Sequence, residues 1–275
     1  MILKNLRLFN FLVMMIIVLS ICFTQVSAQG NLEEGIKFYH EGLYPEAVKL
    51  LREAVTNDPL SYDAHYYLGL TYSQINLNNE AINAYKEAIS IDPGDARAHE
   101  SLGSVYYHIK LYQEAIDAYR MALTIDPESE EKNNLIGLAY HASARYSEAI
   151  ESFKKATSIA PQYLLPYYHL GNTYSKIALY DEAIKAYKKA IGIDPNMKEL
   201  HYLLGYAYNQ VTSYDEAIKS YKQALRIDPA YVDAHYQLGL TYVDTGDLES
   251  ARETYEILKN LDKELADQLL VSINK

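Results

Sequence analysis

Cysteine and tryptophan are nearly absent from this sequence. Cys22 is the only cysteine among 275 residues, so a disulfide bond within the chain is excluded. There is no tryptophan and there are only five phenylalanines, whereas tyrosine occurs 28 times. The packing of large rings in this chain therefore depends on tyrosine.

Basic residues are also scarce. The chain has 25 lysines and arginines against 36 acidic residues, which gives a formal net charge of −11. Because an acidic protein repels phosphate backbones, we expect no nucleic-acid partner, and a basic or neutral protein partner is favoured over an acidic one. With 49 % apolar and 22 % charged residues, the composition is typical of a folded soluble protein of one large or two ordinary domains.

A long apolar run occurs only near the N-terminus. Two basic residues precede the run from Phe11 to Phe23, and the small residues of VSA, which ends at Ala28, follow it. This order is typical of a secretory signal peptide and predicts cleavage after Ala28. The mature protein is then exported, either periplasmic or extracellular. The alternative is an uncleaved inner-membrane anchor within residues 1–28, although the run is shorter than the about 20 residues of a membrane span.

One spacing recurs through most of the chain. Prolines, glycines and alanines each return at intervals of 34 residues. The positions are Pro59, Pro93, Pro127, Pro161, Pro195 and Pro229; Gly35, Gly69, Gly103, Gly137, Gly171, Gly205 and Gly239; and Ala47, Ala81, Ala115, Ala149, Ala183, Ala217 and Ala251. Three residue types that share one period indicate a tandem array of stacked supersecondary units.

Each unit of the array is predicted to be a pair of helices. In the unit 198–231, apolar residues recur at helical spacing over 201–208 and again over 214–225, with the polar segment VTS between them. The pair Asp228-Pro229 is predicted to end the second helix, because proline disfavours helix in the residue before it and can begin the next helix.

The seven periodic glycines lie inside the predicted first helices, where glycine costs about 1 kcal/mol relative to alanine. We expect a close contact with the second helix to offset this cost, since alanines of that helix, such as Ala217 and Ala224, are also small. Tyrosines such as Tyr208, Tyr214 and Tyr221 are predicted to fill the remaining space within and between the helix pairs.

These motifs resemble the tetratricopeptide repeat family. The motif of the first helix recurs as LGLTY, LGSVY, IGLAY, LGNTY, LGYAY and LGLTY at 68–72, 102–106, 136–140, 170–174, 204–208 and 238–242. The resemblance covers about residues 31–265 and implies an all-α fold, a right-handed superhelical α-solenoid of antiparallel helix pairs with a C-terminal capping helix. The predicted repeats are at about 29–61, 62–95, 96–129, 130–163, 164–197, 198–231 and 232–265, and the capping helix ends within 266–275.

Four histidines, His65, His99, His201 and His235, share the repeat position at which the family has tryptophan. They are at least one repeat apart, and stacked helix pairs are separated by about 10 Å, so one metal ion could not join them. We interpret them as packing residues between helix pairs.

No zinc-protease motif, phosphate-binding loop or nucleophile motif is present in the sequence. We therefore predict a protein that is not an enzyme and that binds no metal or cofactor.

The resemblance also implies a concave groove, lined by the first helices, that holds a peptide or helix of a partner. The groove positions form three rows. The first row is Tyr66, Tyr168, Tyr202 and Tyr236; the second is Leu70, Leu138, Asn172, Tyr206 and Leu240; the third is Tyr107, His141, Ser175 and Asn209. Tyrosine offers a broad contact area at low entropic cost and a hydroxyl for a peptide backbone. The alternative is that part of this lining packs against the next helix pair.

A subgroup of the family clamps the terminal carboxylate of a partner with basic and amide side chains. Asn172 and Lys176 match part of that clamp, but the adjacent units present Glu100, Glu131 and Tyr202 instead. Because the clamp is incomplete, we do not expect a carboxylate-terminated tail as the ligand.

Two functions follow from the resemblance. The first is an exported scaffold for protein–protein interaction, and the alternative is a non-catalytic recruiting or regulatory subunit of an envelope enzyme. In both, the partner is a protein or peptide, and a membrane is contacted only through an uncleaved N-terminal segment. Self-association is left open by the sequence.

Overall fold

The structure of the protein is a computed structural model that describes residues 13–15 and 28–275. Apart from residues 13–15, which are helical, and Ala28, the predicted signal segment lies outside the described residues. All regular secondary structure in the described part of the chain is helical, so the predicted all-α class is confirmed. No helix within 13–15 or 28–275 has the length and apolar character needed to cross a membrane.

The chain divides into two compact units, of which the first ends at Glu128 and the second begins at Ser129. The first unit contains α1 (28–40), α2 (Tyr44–Asn57), α3 (Tyr62–Gln74), α4 (Asn78–Ile91), α5 (Ala96–His108) and α6 (Tyr112–Ile125). The second contains α7 (Glu130–Ala142), α8 (Tyr146–Ile159), α9 (Leu164–Lys176), α10 (Tyr180–Ile193), α11 (Lys198–Gln210), α12 (Tyr214–Ile227), α13 (Val232–Thr245), α14 (Leu248–Leu261) and α15 (Lys263–Ile273).

Within each unit, consecutive helices pack against each other from α2 to α6 and from α7 to α15. First helices of neighbouring pairs also touch, as α3 does with α5, α7 with α9 and α11 with α13. Each pair therefore contacts only its neighbours, which is the arrangement of an α-solenoid.

The turn inside each helix pair has one residue in the left-handed conformation. The backbone angle φ is positive at Gly42, Asn76, Lys110, Ala144, Ala178, Thr212 and Gly246. The next N–H reaches back to the first helix, so that Leu77 donates to the carbonyl of Tyr72 at 2.9 Å. The conformation at β-branched Thr212, whose φ is 58°, costs about 1–2 kcal/mol, which the capping hydrogen bonds help to offset. Each of these turns follows the previous one at a distance of one repeat.

The turn between helix pairs is closed by an aspartate at Asp58, Asp92, Asp194 and Asp228, whereas Ala160 takes this position before α9. The carboxylate of Asp228 accepts a hydrogen bond from the N–H of Ala230 at 3.0 Å, across Pro229. Helix α13 begins only at Val232. The prediction that the proline could begin the next helix is therefore wrong, because this aspartate-stabilised turn separates the two helices.

The periodic histidines bind the turn between pairs to the helix that follows. His235 Nε2 lies 2.9 Å from the carbonyl oxygen of Pro229. The same bond joins His65 to Pro59 at 3.0 Å and His201 to Pro195 at 2.8 Å. His99 is equally buried, but its Nε2 has no hydrogen-bond partner among the described residues. The histidines thus have a more specific role than the packing that we predicted.

Five of the seven periodic glycines face aromatic rings, and Gly35 and Gly239 face leucines; none faces the alanines that we expected. A Cβ atom added to Gly205 would lie 2.7 Å from Cε1 of Tyr221, a distance that real Cβ atoms do not reach. The other pairs are Gly69 with Tyr85, Gly103 with Tyr119, Gly137 with Phe153 and Gly171 with Tyr187. All five rings are at most 1 % exposed. Glycine is required because the ring lies directly on the backbone of the first helix.

The end of the array is covered by α15. It packs against both α13 and α14, and its Ala266, Leu269 and Ile273 are buried in the same core as Tyr221. A Cβ atom on Gly239 would lie 2.5 Å from Cδ2 of Leu269. A leucine of α15 therefore occupies the place that an aromatic ring of the second helix takes in the central pairs.

We expect Gly205→Ala to destabilise the protein by about 1–3 kcal/mol, because its methyl group would overlap the buried ring of Tyr221. The matched control is Gly192→Ala in α10, where an added Cβ atom meets nothing within 4 Å. The control should leave stability unchanged or raise it by up to about 1 kcal/mol, since alanine is the better helix former. Urea unfolding followed by circular dichroism measures both, and equal midpoints for the two variants would disprove the ring contact.

Candidate functional site

The predicted groove residues all lie on first helices, and they are divided between the two units. Tyr66 is on α3 and Tyr107 is on α5 of the first unit. The second unit carries His141 on α7, Tyr168, Asn172 and Lys176 on α9, Tyr202, Tyr206 and Asn209 on α11, and Tyr236 on α13. All are half-buried except Lys176, which is exposed. Their role in binding stays a prediction, but each half-buried ring keeps part of its surface open to a partner.

A tyrosine of a second helix contacts two of the predicted groove residues, which sequence reasoning missed. The ring of Tyr187 crosses Gly171, and its hydroxyl donates to Oδ1 of Asn172 at 2.8 Å and lies 3.3 Å from Oγ of Ser175. Asn172 and Ser175 are both predicted groove positions. The signal was present in the 34-residue period of Tyr85, Tyr119, Tyr187 and Tyr221, but spacing alone did not show that these rings reach across a glycine.

The next repeat lacks this hydrogen bonding. Asn209 and Tyr221 stand one period after Ser175 and Tyr187, yet Asn209 Oδ1 and the hydroxyl of Tyr221 are buried without a hydrogen-bond partner within residues 13–15 and 28–275. An unpaired buried polar group costs about 1–3 kcal/mol. A polar group of a partner that reached these atoms would recover part of that cost.

In the first unit, Tyr66 is covered on one face by a charged group. Its ring stacks on Tyr62 with centroids 5.7 Å apart, and the guanidinium of Arg97 lies 5.2 Å from its centroid. Arg97 is held there by Asp95, with a nitrogen–oxygen distance of 2.6 Å. Part of the predicted surface of Tyr66 is therefore taken up by contacts with the next repeat.

Two rings of the second unit are also partly engaged. Tyr202 lies 5.4 Å from the ring of Tyr231 and 6.0 Å from the ring of Tyr221, measured between centroids. The hydroxyl of Tyr236 donates to Gln268 of α15 at 3.4 Å. These contacts orient the rings but leave them half-buried, so intramolecular packing accounts for only part of each side chain.

Two histidines lie next to each other at α7 and α9. His141 Nδ1 is 2.9 Å from Oγ1 of Thr173, and that hydroxyl donates its own proton to the carbonyl of His169 at 2.7 Å. His141 must therefore carry its proton on Nδ1. Burial lowers the pKa of His141, and the charge of Lys176 lowers it further. Burial also lowers the pKa of His169 to about 4, and His141 adds to the effect.

The described residues offer no metal centre: no group of three or more histidine, cysteine, aspartate or glutamate side chains is placed to hold an ion. The groove residues supply aromatic surface, hydroxyls, amides and a few charges. Such a set suits reversible binding of a peptide.

The sequence comparisons agree with this architecture. A family model described as TPR repeat matches residues 137–177 and 213–246. Three further models are described as tetratricopeptide repeat. One of them matches residues 32–94 and 71–130, the second matches 165–197, and the third matches 232–264. The chain belongs to the tetratricopeptide repeat family. No curated protein matches the chain.

Several solved structures share the fold of this tetratricopeptide repeat protein. A crystal structure of MamA is 31 % identical with a TM-score of 0.57, over 58 % of this chain and 94 % of MamA. The C-terminal part of a TPR repeat-containing protein from Cytophaga hutchinsonii is 16 % identical with a TM-score of 0.77. The match covers 87 % of this chain and 99 % of that chain. YrrB, described as a TPR protein with an unusual peptide-binding site, is 20 % identical with a TM-score of 0.58. The match covers 67 % of this chain and 95 % of YrrB.

We expect the half-buried His169 to make stability depend on pH. Its pKa is about 4 in the folded chain against 6.5 for an unperturbed histidine, so the unfolded chain takes up the proton first. Its contribution is therefore full above pH 6.5 and is lost as the pH falls towards 4. The control variant His169→Phe keeps a ring against Phe153, on which His169 stacks at 5.5 Å, but cannot titrate.

Urea midpoints at pH 7 and pH 5 test this dependence. The wild type should lose about 1–2 kcal/mol more than His169→Phe between these values, because only the wild type binds the extra proton on unfolding. Identical losses in the two proteins would show that His169 is accessible to protons in the folded state.

Proposed function

We propose that this protein is an exported scaffold that holds a peptide or helix of a protein partner along the groove residues of its first helices. Tetratricopeptide repeat proteins bind peptides or proteins and are typically non-catalytic, and this chain belongs to that family. Binding without catalysis is also what the groove chemistry favours.

The observation that carries the proposal is a repeated, half-buried tyrosine. Tyr168, Tyr202 and Tyr236 occupy the same position on α9, α11 and α13 of the second unit. Each ring is oriented by neighbours but keeps exposed surface, so a partner would meet aromatic groups that have little rotamer freedom left to lose. Hydroxyl and amide groups between the rings can bind the backbone of an extended segment.

The charge of the two units supports a basic or neutral partner. Residues 28–128 contain seven basic and sixteen acidic residues, a net charge of −9, whereas residues 129–275 contain sixteen and twenty, a net charge of −4. An acidic partner would be repelled by both units, and most strongly by the first.

Export is proposed from the N-terminal sequence alone. A basic start, an apolar run and the segment VSA are typical of a secretory signal, and the periplasm or the cell exterior is the destination that such a signal specifies.

The partner-binding test uses the double variant Tyr168→Ala with Tyr202→Ala. Affinity capture from periplasmic and membrane fractions should yield specific partners with the wild type, and the double variant should lose at least about tenfold in recovery, since two aromatic contacts are removed. Tyr180→Ala with Tyr214→Ala is the matched control, because these tyrosines begin the second helices α10 and α12 and lie outside the groove rows.

Helicity by circular dichroism should be the same in all three proteins. Equal recovery from the wild type and the groove variant would contradict the proposal. If the recovered protein is an enzyme whose activity changes on binding, the scaffold acts as a recruiting or regulatory subunit.

The proposed export predicts a mature N-terminus at Gln29. Intact-mass and N-terminal peptide mass spectrometry of protein isolated from its native cells should show loss of residues 1–28. A chain that retains Met1 or its neighbours and fractionates with the inner membrane would instead indicate an uncleaved anchor.

A further inference from the structure

The turn between α8 and α9 lacks two contacts that the turns before α3, α11 and α13 contain. In each of those three turns an aspartate accepts a hydrogen bond from the N–H two residues later, and a histidine ring meets the proline carbonyl. In the turn before α9, Ala160 replaces the aspartate and Tyr167 replaces the histidine. This turn therefore has no carboxylate of its own.

The backbone of this turn is nevertheless the same. Ala160 has a φ of −124°, against −133° at Asp228, and the N–H of Tyr163 donates to the carbonyl of Ala160 at 3.0 Å, as in the turn at Asp228. The N–H that an aspartate would bind here belongs to Gln162. Within residues 13–15 and 28–275 that N–H has no hydrogen-bond acceptor. The turn thus presents a backbone donor whose usual partner is missing.

A cavity of about 430 Å³ opens beside this turn. Its walls come from the turn, from α9 and from the last turns of α10. The lining residues are Pro161, Gln162, Tyr167, Lys188, Lys189, Gly192 and Ile193, and none of them is acidic. No lining residue belongs to the predicted groove rows, so the cavity is separate from the proposed partner groove.

Lys188 and Lys189 give the cavity its charge. Both side chains are exposed, and neither forms an ion pair within the part of the chain that the structure describes. The ammonium of Lys188 lies 5.3 Å from the ring centroid of Tyr208, a contact with the ring face that leaves other N–H donors for a ligand. Helix α10 has no acidic residue after Glu182, so no carboxylate of this helix lies next to the two lysines.

The sign of a preferred ligand is decided by these two charges. Gln162 and Tyr167 can each donate or accept a hydrogen bond, so they favour neither sign. The free carbonyls at the end of α10 amount to about half a negative charge, which is less than the two positive charges of the lysines. The cavity therefore favours an anion.

We propose that this cavity binds a carboxylate group of a ligand. The carboxylate accepts from the N–H of Gln162, as an aspartate of the protein does in the other turns, and from the ammonium groups of Lys188 and Lys189. Its source is an aspartate or glutamate side chain of a peptide, or a small organic acid. The negative net charge of the protein disfavours a strongly acidic partner, but a single carboxylate in the cavity meets mainly the charges within about 10 Å.

This site goes beyond the proposed function, and it shares no residue with the incomplete clamp of Asn172 and Lys176. Its test is an NMR titration of the isotopically labelled protein at low ionic strength. The probes are N-acetyl-glutamate amide and acetate, with N-acetyl-glutamine amide as the uncharged control. At least one carboxylate probe should shift the backbone amide resonance of Gln162 saturably, and the glutamine probe should bind at least tenfold more weakly. Tighter binding of the glutamate probe assigns the site to a peptide side chain, and tighter binding of acetate assigns it to a small acid.

Two variants and a matched control test the donors. Ala160→Asp supplies the missing carboxylate and should weaken the carboxylate probe at least tenfold with the fold intact, because the other turns carry an aspartate there. Lys188→Gln with Lys189→Gln should weaken it by a similar factor. Lys219→Gln with Lys222→Gln also removes two exposed charges and a lysine–tyrosine contact, but from α12 outside the cavity, and should bind as the wild type does.

Several results would overturn the site. They are equal binding of the glutamine probe, unchanged binding to Ala160→Asp or to the Lys188 and Lys189 variant, an equal loss in the α12 control, and no shift at Gln162. Binding of inorganic phosphate without binding of either carboxylate would also overturn it. None of these results depends on partner capture, which tests the proposed function separately.

Discussion

The central constraint in this protein is the contact, made in the five central pairs, between an aromatic ring of the second helix and a glycine of the first helix. The ring lies so close that a methyl group on the glycine would overlap it, as at Gly171 and Tyr187. This contact sets how near the two helices of a pair approach. It explains why glycine stands there although glycine lowers helix propensity. A tyrosine that crosses the glycine also carries its hydroxyl to predicted groove residues, as Tyr187 does to Asn172 and Ser175. Phe153 packs in the same way but brings no hydroxyl.

The turns keep this contact at the same position in successive helix pairs. A left-handed residue follows the first helix of each pair. In several turns to the next pair an aspartate carboxylate accepts a backbone hydrogen bond, and in three of these turns a histidine ring adds a second contact. Both turns therefore keep a constant length, and equivalent side chains return at the same place on successive first helices. This regularity converts single residues into rows, which gives a repeat protein an extended surface from short-range contacts alone.

Chemical differences along those rows are where recognition can be specified, since a shared fold does not by itself select a ligand. The second unit presents tyrosines at one position of three successive pairs, together with His141 and Lys176. The first unit is more acidic, and Glu100 stands at the position that a tyrosine occupies on α3. The predicted groove positions therefore differ in chemistry between the two units.

The sequence by itself determined the helical class, the repeat length and the helices on which the predicted groove residues lie, because side-chain periodicity and turn residues act over a few neighbouring positions. It did not show that Gly205 meets Tyr221, that His235 holds the carbonyl of Pro229, or that the hydroxyl of Tyr187 reaches Asn172. Only the tertiary structure decided these contacts, together with the cavity beside Lys188 and Lys189. Each joins separate helices or a helix to a turn, and its geometry depends on how closely those elements pack rather than on spacing along the chain.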